Sequence, residues 1–189
     1  MTSRERMLTA LNNGRPDRLP CQVHGWMPYY LQNYLGGMDW WQAYEKFDMD
    51  FAIYREFGLP YDRRQNALFH QAGLKVVNHF CGGLMPMLDL VVEGGADGLE
   101  TMTPPSMGGD CDLREASRRV GDKPFFIGGF DQNAGFERGT PESTRRLVHE
   151  CFEATKDHAG YIVSPSDHFF HGDPACLQAF AAAAKECCY

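Results

Sequence analysis

The stretch LKVVNHFCGG, residues 74–83, begins as a β-branched apolar run, which is typical of a buried strand in an α/β protein. It ends in His79, Phe80 and Cys81, followed by two glycines. Side chains alternate along a strand, so His79 and Cys81 lie on the same side, ~6.6 Å apart. An imidazole and a thiolate that emerge together can bind zinc. The pattern also fits a buried cysteine beside a hydrogen-bonded core histidine, and both interpretations remain open.

The composition is that of a globular protein of one domain, with 189 residues, 43% hydrophobic and 23% charged. A net charge of −7 offers no basic surface to nucleic acid or to anionic lipid. No apolar run approaches the ~18 residues of a membrane span, and no apolar leader is visible. Seven irregularly spaced cysteines do not form a disulfide framework. We therefore expect a cytoplasmic protein with reduced thiols and a small-molecule substrate.

Strand and helix patterns alternate every 20 to 30 residues, which indicates a parallel sheet with crossover helices. Six strands are predicted, at residues 19–24, 51–54, the start of 74–83, 97–102, 124–128 and 161–164. Helices are predicted at the N-terminus, at 40–47, after Gly83, after Asp112, from Thr140 and from Asp173. The fold class is α/β.

Polar side chains stand at the carboxyl ends of these strands, which is the edge that carries the chemistry in (β/α) barrels. They are His24, His79, Cys81, Glu100, Asp131, Asp167 and His168. Asp131 can equally be a helix cap. Trp26 and Tyr29, just past the first predicted strand, are candidates for substrate contact, although a structural aromatic cluster is the plainer explanation for Trp26.

Four segments of the chain are distinctive in their order and spacing. They are RERMLTALNNGRPDRLP (4–20), NHFCGGLMPMLDLVVEGGADGLE (78–100), GDKPFFIGGFDQN (121–133) and GYIVSPSDHFF (160–170). Together they resemble the uroporphyrinogen decarboxylase superfamily, which includes the cobamide-dependent methyltransferases. The first segment is similar to that family's opening helix and its lead into the first strand. The second resembles its His-x-Cys-Gly strand, the following helix and the Gly-Ala-Asp strand, and the last two resemble two later strands with their loops.

The resemblance implies a (β/α)8 TIM barrel, but 189 residues fall short of the ~250 typical of that fold. About two βα units are missing between residues 55 and 74. We therefore expect a single, shortened barrel domain over residues 1–189, with about six parallel strands, an N-terminal part at 1–60 and a C-terminal part at 73–189. An open sheet exposes its edges and its apolar interior. We therefore expect a homo-oligomer that covers the gap left by the two missing βα units.

For the methyltransferase branch, the resemblance implies a zinc ion that activates an acceptor thiol to attack the methyl group of a methylcobamide, which a corrinoid protein can carry. The ligands His79 and Cys81 match, whereas Asp167 stands where the family has a further cysteine, with His168 beside it. The predicted metal ligands are therefore His79, Cys81, Asp167 and His168. The candidate catalytic residues are Glu100, His24 and Asp131. Glu100 serves as a general base, a fourth ligand or a partner of His79.

Two other functions compete with methyl transfer. The decarboxylase branch is implied to hold tetrapyrrole carboxylates with arginines in the loop after the first strand, but CQVHGWMPYY (21–30) contains no arginine. The shortened barrel is also compatible with a non-catalytic remnant or a binding module, because an incomplete rim leaves its pocket open to water.

Overall fold

The computed structural model describes residues 1–23, 26, 28–50, 54–121, 123–158 and 160–189, apart from the side chain of Glu56. The chain forms two compact units, Met1–Pro60 and Tyr61–Tyr189. Within the described ranges, no helix has the length and the apolar character needed to cross a membrane.

The N-terminal unit is helical. Its helices are α1 (Ser3–Leu11), α2 (Pro28–Tyr34), α3 (Trp40–Lys46), α4 (Tyr54–Phe57) and the start of α5 (Leu59–Gln71). Thr2 and Glu5 form the predicted capping box of α1, and Asp39 caps α3 in the same way. The helix predicted at 40–47 is confirmed.

A buried ion pair organises this unit. Arg6 donates from Nη1 to Asp50 Oδ1 at 2.5 Å and from Nε to Asp17 Oδ1 at 2.7 Å. Asp50 is fully buried, so its charge requires the guanidinium and the Cys21 N–H that also donates to it. These contacts tie the first helix to the segments before and after α3.

The strand predicted at 19–24 is wrong for its described residues 19–23, which have no regular secondary structure. The Cys21 N–H donates to the Asp50 carboxylate, and the Cys21 carbonyl accepts from the Asp50 N–H. Both backbone groups of Cys21 are therefore hydrogen-bonded to Asp50 and not to a neighbouring strand. The second predicted strand, 51–54, lies outside the described residues except for Tyr54, which begins α4.

The C-terminal unit is built on a parallel sheet in the order β1-β2-β3-β4. The strands are β1 (Val77–His79), β2 (Gly98–Thr101), β3 (Phe125–Phe130) and β4 (Tyr161–Pro165). The described residues thus contain four of the six predicted strands, and all four lie in the part of the chain where the sequence pattern was clearest. The α/β class and the parallel sheet are confirmed.

Helices follow each of the four strands, and most of them begin where the sequence predicted. The crossover helices α6 (Leu88–Glu93), α7 (Leu113–Val120) and α8 (Pro141–Thr155) connect successive strands, and α9 (Pro174–Glu186) follows β4. Asp112, Thr140 and Asp173 cap α7, α8 and α9 through their side chains. A 3-10 turn at Pro105–Met107 and a π-helical turn at Asn133–Glu137 follow the carboxyl ends of β2 and β3.

The core lies on one side of the sheet. Leu99 and Phe126 are fully buried there, as are Leu88 and Val91 of α6. β1 was predicted to be a buried strand, but Val77 and His79 are exposed. The reason is that β1 is an edge strand, since no strand lies beyond it within the described residues.

Asp97 holds the amino ends of β1 and β2 together. Its carboxylate accepts from Lys75 Nζ at 2.6 Å and from the Val76 N–H at 2.8 Å, and it contacts His70 Nε2 at 2.8 Å. The Lys75 ammonium first, and then the Val76 N–H, hold the pKa of Asp97 well below its usual range. Asp97 therefore joins the end of α5 to the sheet.

We expect Asp97→Asn to lower the free energy of unfolding at pH 7 by about 1 to 2 kcal/mol, because a charge-assisted acceptor is lost. The folded pKa is depressed, so this contribution is present above the unfolded value of ~3.9 and is lost as the pH falls through the folded pKa. Urea unfolding at pH 7 and pH 3 measures the difference. Asp89→Asn, on an exposed carboxylate bonded to Arg119, is the control and should change stability by less than about 0.5 kcal/mol. Equal effects of the two substitutions would contradict this role of Asp97.

Candidate functional site at the carboxyl edge of the sheet

Strand pairing brings together three of the predicted site residues. The register of β1 on β2 sets His79 opposite Glu100, and the two side chains share one face of the sheet. His79 Nδ1 lies 2.7 Å from Glu100 Oε1, and His79 Nε2 lies 3.0 Å from Cys81 Sγ. The imidazole therefore stands between a carboxylate and a thiol. All three side chains are accessible from solvent, with His79 55% exposed.

The hydrogen-bond pattern assigns the tautomer of His79. An ionised carboxylate only accepts hydrogen bonds, so Nδ1 carries the proton and donates it to Glu100. Nε2 of the neutral ring is then an acceptor and faces the Cys81 thiol. A carboxylate that fixes a histidine in this way is the usual outer partner of a metal-binding imidazole, and it is also the orienting group of a cysteine–histidine pair.

Backbone contacts hold the segment around Cys81. Thr101 Oγ1 donates to the Phe80 carbonyl at 2.6 Å. The Asp110 carboxylate accepts from the Leu84 and Met85 N–H groups, at 2.9 and 3.2 Å, and so fixes the glycine loop that follows Cys81. Asp110 was not predicted from the sequence as a site residue. Its only signal was an acid at the end of a Gly-Gly loop after the next strand.

Asp167 and His168 follow β4 and form an exposed pair, with Asp167 Oδ1 3.0 Å from His168 Nδ1. The pKa of Asp167 is lowered, mainly by the His168 backbone N–H and its ring, with a smaller electrostatic contribution from His79. The strands are parallel, so Asp167 and His168 after β4 lie at the same carboxyl edge of the sheet as His79 of β1, three strands away.

Gln132 supports the segment that carries this pair. It is 1% exposed, and its Nε2 donates to the His168 carbonyl at 3.2 Å. Its Oε1 has no partner among the described residues, although it is buried. Gln132 was seen in the sequence as part of a loop, but nothing there distinguished it from its neighbours.

The other predicted residues have different surroundings. Asp131 is buried and accepts a hydrogen bond from the Ala134 N–H at 2.9 Å. It therefore caps the helical turn after β3, which is the alternative role that its sequence position allowed. In the N-terminal unit, Trp26 stacks on Phe47, with ring centroids 5.8 Å apart, while Tyr29 is 71% exposed. His24 lies outside the described residues.

The side chains of His79 and Cys81 can be compared with the ligands and the geometry of a zinc site. Imidazole nitrogen and thiolate sulfur are both good zinc ligands, and in a tetrahedral site they stand ~3.6 Å apart. The 3.0 Å separation of His79 Nε2 and Cys81 Sγ would widen only slightly to accept the ion. Within the described residues, no group of three or more His, Cys, Asp or Glu side chains is arranged as a complete metal site. His79 and Cys81 are therefore two side chains of a type that zinc can bind.

The fold and the edge residues define a parallel α/β protein of barrel type, and comparisons with known proteins agree. The family profile for uroporphyrinogen decarboxylase (URO-D) matches residues 47–187. The uroporphyrinogen decarboxylases of two Neisseria gonorrhoeae strains are each 32% identical over 133 residues, covering 64% of this chain and 34% of theirs. A solved structure of a methyltransferase from Methanosarcina mazei, with a TIM-barrel-like fold, superposes with a TM-score of 0.52 at 16% identity, covering 70% of this chain and 36% of that one.

The chain belongs to the uroporphyrinogen decarboxylase family. The structural likeness to the methyltransferase supports the expected barrel type of fold. The chain spans about a third of the length of the curated relatives it matches.

The environment of the cysteines predicts which of them react. Burial raises the pKa of Cys111 to about 12 and that of Cys151 to about 11, so almost no thiolate forms at neutral pH. Cys81 is exposed. N-ethylmaleimide at pH 7.5, followed by peptide mass spectrometry, should modify Cys81 at least about ten-fold faster than the two buried thiols. Exposed Cys188 is the internal reference, and labelling of Cys81 as slow as that of Cys111 would contradict the described site.

Proposed function

We propose that this protein takes part in methyl transfer from a methylcobamide to a thiol-type acceptor at the edge formed by His79, Cys81 and Glu100. The observation that carries the proposal is the imidazole of His79, held on one side by the Glu100 carboxylate and facing the Cys81 sulfur on the other. The proposal also agrees with the membership of the family and with the methyltransferase among the structural neighbours.

In this proposal His79 and Cys81 hold a zinc ion together with Asp167 or His168. Zinc bound there would lower the pKa of an incoming thiol and keep it as the nucleophilic thiolate. Three protein ligands leave one position open for that thiol. The family resemblance implied a cysteine in place of Asp167, so a harder, anionic oxygen ligand replaces a soft one.

The remaining residues have positioning roles. Glu100 keeps the proton of His79 on Nδ1, so that Nε2 is free to bind. Gln132 bonds to the His168 carbonyl and so limits the movement of the segment that supplies the third ligand. Asp110 fixes the loop after Cys81. A corrinoid protein would present the methyl donor at this exposed edge, and the acceptor would be a small molecule.

Decarboxylation is the second candidate, because the curated relatives at 32% identity are uroporphyrinogen decarboxylases. Against it, residues 21–30 contain no arginine that could pair with tetrapyrrole carboxylates. A non-catalytic role is the third candidate, since the three site residues are open to water.

Zinc content tests the ligand assignment. We expect about one equivalent of zinc in protein purified without a histidine tag, and its loss in His79→Ala and in Cys81→Ala. Glu100→Gln should retain the ion but weaken its binding by about 10- to 100-fold, measured by competition with a chelator. Cys188→Ala, which removes another exposed thiol, is the matched control and should behave as the unaltered protein does. Zinc that persists in both ligand variants would contradict the assignment.

The activity itself is tested with methylcobalamin and 2-mercaptoethanol. In the transfer, the carbon–cobalt bond breaks, its electron pair stays on cobalt, and the thiolate sulfur bonds the methyl group. The expected product is the methyl thioether, detected by mass spectrometry, and its formation should stop in His79→Ala. Decarboxylation of uroporphyrinogen by metal-free protein, without thioether formation, would favour the second candidate instead.

A further inference from the structure

A cavity of about 210 Å³ lies beside the loop that joins β4 to α9. Three phenylalanine rings line it, those of Phe136, Phe169 and Phe170, together with the side chain of Leu177 on α9. Asp173, which caps α9, is the acidic residue of the wall. None of the three residues of the candidate site on β1 and β2 lines this cavity, so it is a separate feature of the C-terminal unit.

The loop that forms one wall of the cavity is held by backbone contacts. The Phe170 N–H donates to Glu137 Oε1 at 2.8 Å. Gly172 has a φ of +136°, and a Cβ atom there would stand 2.6 Å from the Phe136 carbonyl oxygen of the π-helical turn. Glycine is the residue that permits both this conformation and this close approach. The loop is therefore fixed against the turn, and the cavity is formed before any ligand arrives.

The aromatic rings differ in how firmly they are held. Phe136 is 2% exposed, and its ring centroid lies 4.9 Å from that of Phe130 and 5.4 Å from that of Phe180. Phe169 packs on Phe136 edge to face, with the centroids 4.9 Å apart and the planes inclined at 63°. Phe169 and Phe170 are 38% and 81% exposed. Inclined rings of this kind offer aromatic surface to a small ligand from more than one side.

The charge of the wall favours a cation. The face of an aromatic ring is the negative part of its quadrupole and attracts positive charge. Asp173 adds a carboxylate, whose Oδ1 accepts the capping bond from the Ala175 N–H at 2.8 Å. The positive end of the α9 dipole opposes a cation, but the carboxylate that caps this end offsets it. The lining residues include neither lysine nor arginine, and His171 is the other polar side chain among them.

We propose that this cavity binds a small methylated ammonium cation, of the kind carried by choline. The methyl groups on such a nitrogen are apolar and match the phenylalanine rings, while its diffuse positive charge matches the ring faces and the Asp173 carboxylate. A volume of about 210 Å³ is smaller than a drug-sized pocket and admits only a small ligand. A primary ammonium is a poorer match, because it would lose strong hydration to a mostly apolar wall. This inference does not depend on the methyl transfer proposed above, and its failure would leave the zinc assignment untouched.

Two compounds of the same shape test the ligand class on the unaltered protein. Choline carries a quaternary nitrogen, and 3,3-dimethyl-1-butanol carries a neutral carbon in its place. Saturation-transfer NMR titrations at pH 8, where imidazole groups are uncharged, give the dissociation constant of each compound. Choline should bind about five-fold more tightly than the alcohol, because of its cation–π contacts. Equal affinities for the two compounds, or no binding of choline at millimolar concentration, would overturn the proposal.

Two substitutions test the location of the site. Phe169→Leu keeps an apolar side chain but removes one ring, and it should weaken choline binding about five-fold. Asp173→Asn keeps the cap of α9, because asparagine caps helices as well as aspartate does, and the loss of charge should weaken choline binding about three-fold. Asp112→Asn, the same change at the cap of α7 and outside the cavity, is the matched control and should leave the affinity unchanged. Thermal melting of each variant checks that the fold is retained. Choline binding that is unaffected by both cavity substitutions would overturn the proposal.

Discussion

The parallel pairing of β1 with β2 determines the candidate site, because it sets His79 opposite Glu100 in the hydrogen-bond register. Side chains alternate along a strand, so a shift of one residue would turn Glu100 to the helix-covered face and leave His79 Nδ1 without its carboxylate. The Asp97 carboxylate at the amino ends of the same two strands and the Thr101 hydroxyl at their carboxyl ends maintain this pairing. The geometry of the site thus follows from the backbone of two short strands.

The sequence predicted most of the C-terminal unit, and the reason lies in its local signals. Thr140 with Pro141 marks the start of α8, and the apolar run before Gly128 marks β3, because caps and periodicity act within a few residues. The contact of His79 with Glu100 could not be predicted in this way, since it depends on the register between strands 21 residues apart. Buried Gln132 was missed for the same reason.

Errors were concentrated where one long-range interaction overrides the local pattern. Residues 19–23 have a strand-like sequence, but Cys21 uses both its backbone groups on Asp50, which arrives from 29 positions later in the chain. β1 was expected to be buried because Val76 and Val77 are β-branched, yet burial depends on a neighbouring strand that the described residues do not contain. The exposure of β1 is therefore a consequence of what surrounds the sheet, which local sequence does not encode.

We propose that His79, Cys81 and the segment of Asp167 and His168 bind one zinc ion at the carboxyl edge of the sheet. The most direct test is anomalous diffraction at the zinc edge from crystals grown with zinc. A single strong peak is expected ~2.1 Å from His79 Nε2 and ~2.3 Å from Cys81 Sγ, with Asp167 or His168 as a further ligand. Zinc bound elsewhere, with His79 still bonded to Cys81, would contradict it.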